Sequence, residues 1–162
     1  IANAYRRCYN IPVIITRSSN MYGKMQDCEK FVPMTIKKIL NNEPVIIHKN
    51  SDENIGSRQW LHVDDNSSAL LFLLENGSIG EIYHIAGERH DNYEVAKLIS
   101  KALCTQFTVD IKDAFVDYPG HDLHYNIKDT KLKELGWTIK VDFYQALDEL
   151  VIWTANNKEW TK

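Results

Sequence analysis

The run Pro12-Val13-Ile14-Ile15-Thr16-Arg17 most constrains how this chain folds. Its continuous apolar, β-branched middle is the pattern of a strand buried on both faces, as in a parallel sheet. The run then stops abruptly in Arg17, Ser18, Ser19 and Asn20, and Met21-Tyr22-Gly23 follow. A core strand that ends in hydroxyls and an amide is usually aimed at something.

The remaining pattern surrounds that strand with helices and further strands. Residues 1–9 read as a helix stopped by Asn10 and Pro12, and residues 18–30 as a loop. Residues 31–41 read as a helix with Pro33 in its first turn and Phe31, Met34, Ile36, Ile39 and Leu40 on its apolar face. Strands are expected at 45–48, 58–63, 82–86 and near 107–112. The polar stretch 49–57 reads as a surface loop or hairpin tip. Asp64 is expected to cap a helix running to about Asn76, Asn92 a helix over 93–104, and Asp129 a short helix that ends before Gly136. Residues 142–156 make a last amphipathic helix. Strands alternating with helices, the first strand uniformly apolar, specify an α/β fold.

The 162 residues are 44% hydrophobic, enough for one domain with a sizeable core. A net charge of −3 argues against a nucleic-acid binder, which carries a basic face. No apolar run approaches the ~20 residues of a membrane span. Cys8, Cys28 and Cys104 are scattered and form no C-x-x-C pair, as expected of reduced thiols in a cytoplasmic protein. The opening Ile1-Ala2-Asn3-Ala4-Tyr5-Arg6-Arg7 lacks a start Met and a signal-peptide layout. It reads as the end of a helix already under way, so the chain is expected to be a piece of a longer one.

Six stretches carry a family resemblance. PVIITRSSNMYGK followed by EKFVP, then RQWLHVDD, GEIYHIAGE, YPGHDLHY and LKELGW come in the order found in extended short-chain dehydrogenases. The chain is most similar to the nucleotide-sugar 4,6-dehydratases of the dTDP-glucose or UDP-glucose type. That resemblance implies the C-terminal part of an NAD-binding Rossmann-type fold plus a smaller α/β substrate-binding domain. Residues 1–30 would be the tail of the dinucleotide-binding domain. Residues 31–162 would belong mainly to the nucleotide-sugar domain, with about 58–86 returning to the Rossmann part. The implied activity converts NDP-glucose to its 4-keto-6-deoxy product with bound NAD, in a homodimer. The family's glycine-rich turn, its Tyr-x-x-x-Lys pair and the dehydratase acidic pair all lie upstream of this stretch. No catalytic residue is therefore expected among these 162, and this segment alone is expected to be inactive.

The resemblance also implies roles for individual residues. Ser18 and Ser19 would sit near the nicotinamide, at the carboxyl edge where open α/β sheets bind ligands. Asn20 would hydrogen-bond the sugar or its diphosphate, an amide offering donor and acceptor without charge. Glu29, Lys30, Phe31 and Val32 open a helix whose N-terminus favours anions, with Lys30 neutralising the diphosphate and the backbone at Phe31 and Val32 holding the base. Arg58 would grip the diphosphate with its fork of fixed donors. His84 stands where dehydratases have Asn, and it would donate to a phosphate or ribose. His121, with Asp122, would face the ribose.

Three stretches depart from the family pattern. Tyr118 stands where a phosphate-binding Arg would be, Leu123-His124 replaces two arginines, and the insert around 49–57 is longer than the usual turn. His121-x-x-His124 with Asp122 lacks convincing further ligands, so no metal site is expected. A 4-epimerase or decarboxylase of the same family, or a non-catalytic nucleotide-sugar-binding module, remain the alternative functions.

Overall fold

The computed structural model describes residues 1–49, 54–117, 122 and 124–161. Helix α1 (Ala2–Tyr9) leads to β1 (Ile15–Ser18) and β2 (Asn20–Tyr22). Then come α2 (Phe31–Leu40), β3 (Val45–Lys49), β4 (Ser57–His62) and α3 (Val63–Asn76). Next are β5 (Ile82–Ile85), β6 (Glu88–Asp91), α4 (Asn92–Ala102), β7 (Val109–Asp113) and α5 (Ala114–Asp117). The chain continues through α6 (Thr130–Glu134) and α7 (Phe143–Asn156) to a 3-10 turn at Lys158–Thr161. The α/β alternation read from the sequence holds.

The strands form three small sheets. β1 runs parallel to β5, and β3 parallel to β7. In the third sheet β4 lies between β2, which is parallel to it, and β6, which is antiparallel. Successive residues of a strand point to opposite faces, and β4 uses this to separate two cores. Trp60 joins a cluster with Tyr22, Ile36, Ile39, Val95, Ile99, Leu147 and Val151 from β2, α2, α4 and α7. Its neighbour Leu61 joins Ala69, Leu73, Tyr83, Ile85, Leu132 and Trp137 around α3, β5 and α6. The buried Asp65 of α3 ties the approach to α7 onto this frame, accepting from the Lys140 and Val141 N–H groups at 3.0 and 3.2 Å.

Several local expectations shift. β1 begins at Ile15 and is half-buried, with Arg17 exposed. It pairs only with β5 among the described residues, and Arg17 and His84 are register partners on the face away from Tyr83 and α3. The cap of α3 is His62 rather than Asp64. Strand β4 runs directly into the helix, so the His62 Nδ1 accepts the Asp64 N–H at 3.3 Å. The cap of α4 is Asp91 rather than Asn92, its carboxylate accepting the Glu94 N–H at 2.7 Å. Strand β6 was not expected at all. Its Glu-Arg-His-Asp sequence has no apolar residue, and pairing with β4 from Ser57↔Asp91 to Trp60↔Glu88 makes it a strand.

The junction between β5 and β6 brings two backbones into close approach. A Cβ on Gly87 would stand 1.9 Å from the Trp60 carbonyl oxygen, so only glycine fits there. Ser19 closes the same joint. Its N–H donates to Ile85 O at 2.9 Å, and its Oγ accepts the Gly87 N–H at 3.0 Å.

Candidate functional site

The N-terminus of α2, like those of the shorter α1 and α6, has no side-chain cap, whereas α3, α4 and α7 are all capped by side chains. Asp27 shapes the entry to α2, its Oδ1 accepting the Glu29 N–H at 2.8 Å and its carbonyl the Lys30 N–H at 3.0 Å. Lys30 then occupies the N-cap position, and no side chain caps the helix. Residues Phe31 and Val32 present the first helical N–H groups, and Pro33 has none. A cation at the positive end of a helix dipole is the reverse of the stabilising arrangement. This end of α2 therefore suits an added anion.

The chain brings three more expected residues to the same face of β4. Asn20 is exposed and is the register partner of Trp60. The Phe31 ring lies 5.7 Å from the Trp60 ring. Arg58 is two positions before Trp60 on β4 and so shares its face. Val32 is 1% exposed and packs in the core, which leaves only its backbone to meet a ligand. Glu29 is exposed at the entry to the helix.

Arg58 is half-buried and held by two carbonyls. Its Nη1 donates to Ser57 O at 2.8 Å, and its Nη2 to Asp122 O at 3.0 Å. Burial pushes the guanidinium's pKa down, and the nearby Asp122 carboxylate opposes that shift. The Asp122 carbonyl belongs to a segment laid along β4. Tyr125 N–H donates to Ser57 O at 3.2 Å, and Ile127 N–H to Gln59 Oε1 at 2.6 Å. Ser57 Oγ lies 2.9 Å from His124 Nδ1 and accepts from Arg89 Nε at 3.0 Å.

The sequence did not single out Ser57, Gln59 or Arg89, and His124 stood out only as a departure from the family pattern and as half of an unconvincing metal pair. The available signal was polar residues at the inward positions of a strand, since Ser57 and Gln59 are both buried. Asn92 was read only as a cap. Its Oδ1 is buried without a hydrogen-bond partner, and its N–H donates to Gly56 O at 2.9 Å, beside the start of β4.

Ser18 and Ser19 lie at the carboxyl end of β1 with their hydroxyls in use. Ser18 Oγ donates to Asn66 Oδ1 at 2.6 Å, and Ser19 is 5% exposed in the Gly87 joint. His84 is not brought together with Arg58. It lines a separate cleft of about 440 Å³ with Arg17, Ile82, Lys128, Thr130 and Lys131. Its Nδ1 donates to Lys128 O at 3.1 Å. In the same region Lys131 pairs with Glu81 at 2.5 Å, holding that carboxyl below its ordinary range while its own pKa rises. Tyr118 and His121 lie outside the described residues. Among the described residues no group of three or more His, Cys, Asp or Glu side chains is placed to hold a metal. No described helix is long and apolar enough to cross a membrane.

Comparison with known proteins gives one consistent result. Residues 1–86 match the NAD dependent epimerase/dehydratase family. The dTDP-glucose 4,6-dehydratase of Streptomyces niveus is 35% identical over 162 residues, covering 99% of this chain and 47% of the relative. The crystal structure of dTDP-glucose 4,6-dehydratase from Bacillus anthracis in complex with NAD superposes with a TM-score of 0.84 at 34% identity, covering 98% of this chain and 50% of that one. A UDP-glucuronic acid 4-epimerase from Bacillus cereus shares the fold alone, with a TM-score of 0.84 at 19% identity. The chain thus spans about half the length of the relatives it matches. With more than half of its residues inside the family match, the chain belongs to the NAD dependent epimerase/dehydratase family.

Proposed function

We propose that this chain is the nucleotide-sugar-binding portion of an NAD-dependent NDP-glucose 4,6-dehydratase. The observation that carries the reading is the convergence of Arg58, Asn20 and the uncapped start of α2 on one face of β4. Identity of 34–35% to dTDP-glucose 4,6-dehydratases, against 19% to the solved 4-epimerase, favours the dehydratase within the family. Arg58 binds the diphosphate, and its two carbonyl contacts hold it ready, so little side-chain freedom is lost on binding. Lys30 and the Phe31 and Val32 N–H groups complete the anion site, with the Phe31 ring beside the base. Asn20 orients the sugar, and His121 faces the ribose.

The two cores support a division of labour. The cluster around Leu61, Tyr83 and Ile85 belongs with the dinucleotide-binding part, and the cluster around Trp60 with the substrate domain. The residues present fit NAD in part. Ser18 and Ser19 are small and uncharged at a strand's carboxyl end, and the Ser19 hydroxyl fixes the joint beside them. Ser18 would border the nicotinamide, with Ser19 supporting the backbone there. When bound, NAD supplies the acceptor and later the donor of a hydride. This chain's residues bind the diphosphate and orient the sugar, so they affect turnover as well as affinity. The whole protein is proposed to work as a cytoplasmic homodimer.

Proton NMR of the protein at its natural length, with NAD and either dTDP-glucose or UDP-glucose, tests the proposal. A new 6-methyl signal is expected from one donor, which also identifies the base. Epimerised sugar without a methyl signal would assign the protein to the 4-epimerases, and binding without turnover would make it a binding module.

A further inference from the structure

His124 sits in a hydrogen-bond chain that leads to Arg58. Arg89 Nε is always a donor, so at 3.0 Å it occupies a lone pair of Ser57 Oγ. Ser57 Oγ keeps its proton and a second lone pair, so when His124 Nδ1 is unprotonated, 2.9 Å away, the hydroxyl proton goes to it. That direction requires an unprotonated Nδ1, the tautomer with its proton on Nε2. The same segment donates Tyr125 N–H to Ser57 O and Ile127 N–H to Gln59 Oε1, and it presents the Asp122 carbonyl to Arg58 Nη2. The arginine that the family resemblance would place at position 124 has no acceptor atom and cannot receive the Ser57 proton.

We propose that His124 is a positioning residue for Arg58. Its Nδ1 accepts the Ser57 hydroxyl and holds residues 124–127 along β4, and protonation of the imidazole loosens that stretch together with the Asp122 carbonyl that fixes the guanidinium. A protonated Nδ1 meets Ser57 Oγ as a second donor. The hydroxyl proton must leave Nδ1 for another acceptor, and the charge of a third cation beside Arg58 and Arg89 opposes the segment's hold on β4. The charged groups around the pair are Arg58 on β4, Arg89 and Asp91 on β6, and Asp122 on the segment itself. Of these, the Asp91 carboxylate is engaged with the Glu94 N–H, and Asp122 lies beside Arg58. The proposal rests on the assignment of Arg58 to the nucleotide diphosphate.

The test compares the natural-length protein with its His124→Asn and His124→Leu variants. An Asn Oδ1 can accept the Ser57 proton in place of Nδ1 but does not titrate. Calorimetry with dTDP from pH 8 to pH 5.5 is expected to show affinity falling roughly 3–10-fold further in the wild type than in His124→Asn. Protonation of the nucleotide itself is common to both proteins and cancels. His124→Leu is expected to bind weakly at every pH. In the ligand-free protein, the Arg58 Nε–H and the Tyr125 and Ile127 amide resonances should titrate with the His124 ring midpoint, and the asparagine variant should lose that transition. Superimposable binding profiles for wild type and His124→Asn, or Arg58 resonances that ignore the His124 midpoint, would overturn the proposal. If dTDP binds none of the proteins, the nucleotide reading fails while the ligand-free titration still decides whether His124 holds Arg58.

Discussion

Two basic regions flank the ends of the parallel strands, and they are built differently. Beside Arg58, one guanidinium is half-buried and fixed by two carbonyls, an amide stands one strand away, and a helix start lacks a side-chain cap. Beside His84, the cations Arg17, Lys128 and Lys131 line an open cleft, but Lys131 is already paired with Glu81 and the His84 ring is tied to a backbone carbonyl. The contrast teaches that preorganisation, rather than the number of cations, is what recommends the Arg58 region as the proposed anion site. A fixed guanidinium has lost its freedom before the ligand arrives, whereas exposed lysines lose theirs on binding.

The joint that holds these regions apart gives the largest expected effect. Gly87→Ala places a methyl group against the Trp60 carbonyl, 1.9 Å away, and should destabilise the fold by about 3 kcal/mol or more in chemical denaturation. Arg58→Ala should weaken dTDP binding by roughly 1.5–3 kcal/mol in calorimetry, the loss of a charged hydrogen-bond partner. Arg17→Ala, in the other cleft, should change it by less than about 0.5 kcal/mol, and comparable losses at the two arginines would erase the contrast. Lys30→Ala should act with opposite signs on stability and binding. Removing a cation from the positive end of α2 stabilises the free protein by about 0.3–1 kcal/mol, while dTDP affinity falls.

A pH effect sharpens the account on the alkaline side. Burial, with Asp65, Glu88 and Asp142 nearby, pushes the Tyr22 phenol well above its ordinary pKa of 10.0. Because the folded value is raised, the stabilisation is complete below the unfolded value and is lost as pH climbs toward the folded one. Stability should therefore fall above about pH 10, and Tyr22→Phe should flatten that part of the profile.

Much of the fold was legible because hydrophobic period carries it. The apolar faces of α2 and α7 and the β-branched run of β3 report burial directly in sequence, whereas the run leading into β1 overstates it, since that strand is half-buried. β6 was illegible because its pairing with β4, not its side chains, makes it a strand, and only His90 of its four residues is buried. The α3 cap was misread because a histidine ending a strand does the work of the aspartate two residues later. Asn20, Lys30 and Arg58 were legible as residue types in a family order; Asn20 and Arg58 share a face through the β2–β4 register, and the start of α2 reaches it through the Phe31–Trp60 contact. The Ser57–His124 pair was not legible, since its members are 67 positions apart and neither follows the family pattern. His84 shows the converse. Position in a motif suggested a substrate ligand, but alternation along β5 turns the ring toward Arg17 and Lys128.

The most direct measurement is an NMR titration of the natural-length protein with dTDP, following backbone amides, the Asn20 side-chain amide and the arginine Nε–H groups. The account predicts that Asn20, the Phe31 and Val32 amides and the Arg58 Nε–H shift together along one saturation curve, while Arg17 and the His84 ring stay in place. Saturable shifts centred on Arg17, His84 and Lys128, with Arg58 unmoved, would contradict it.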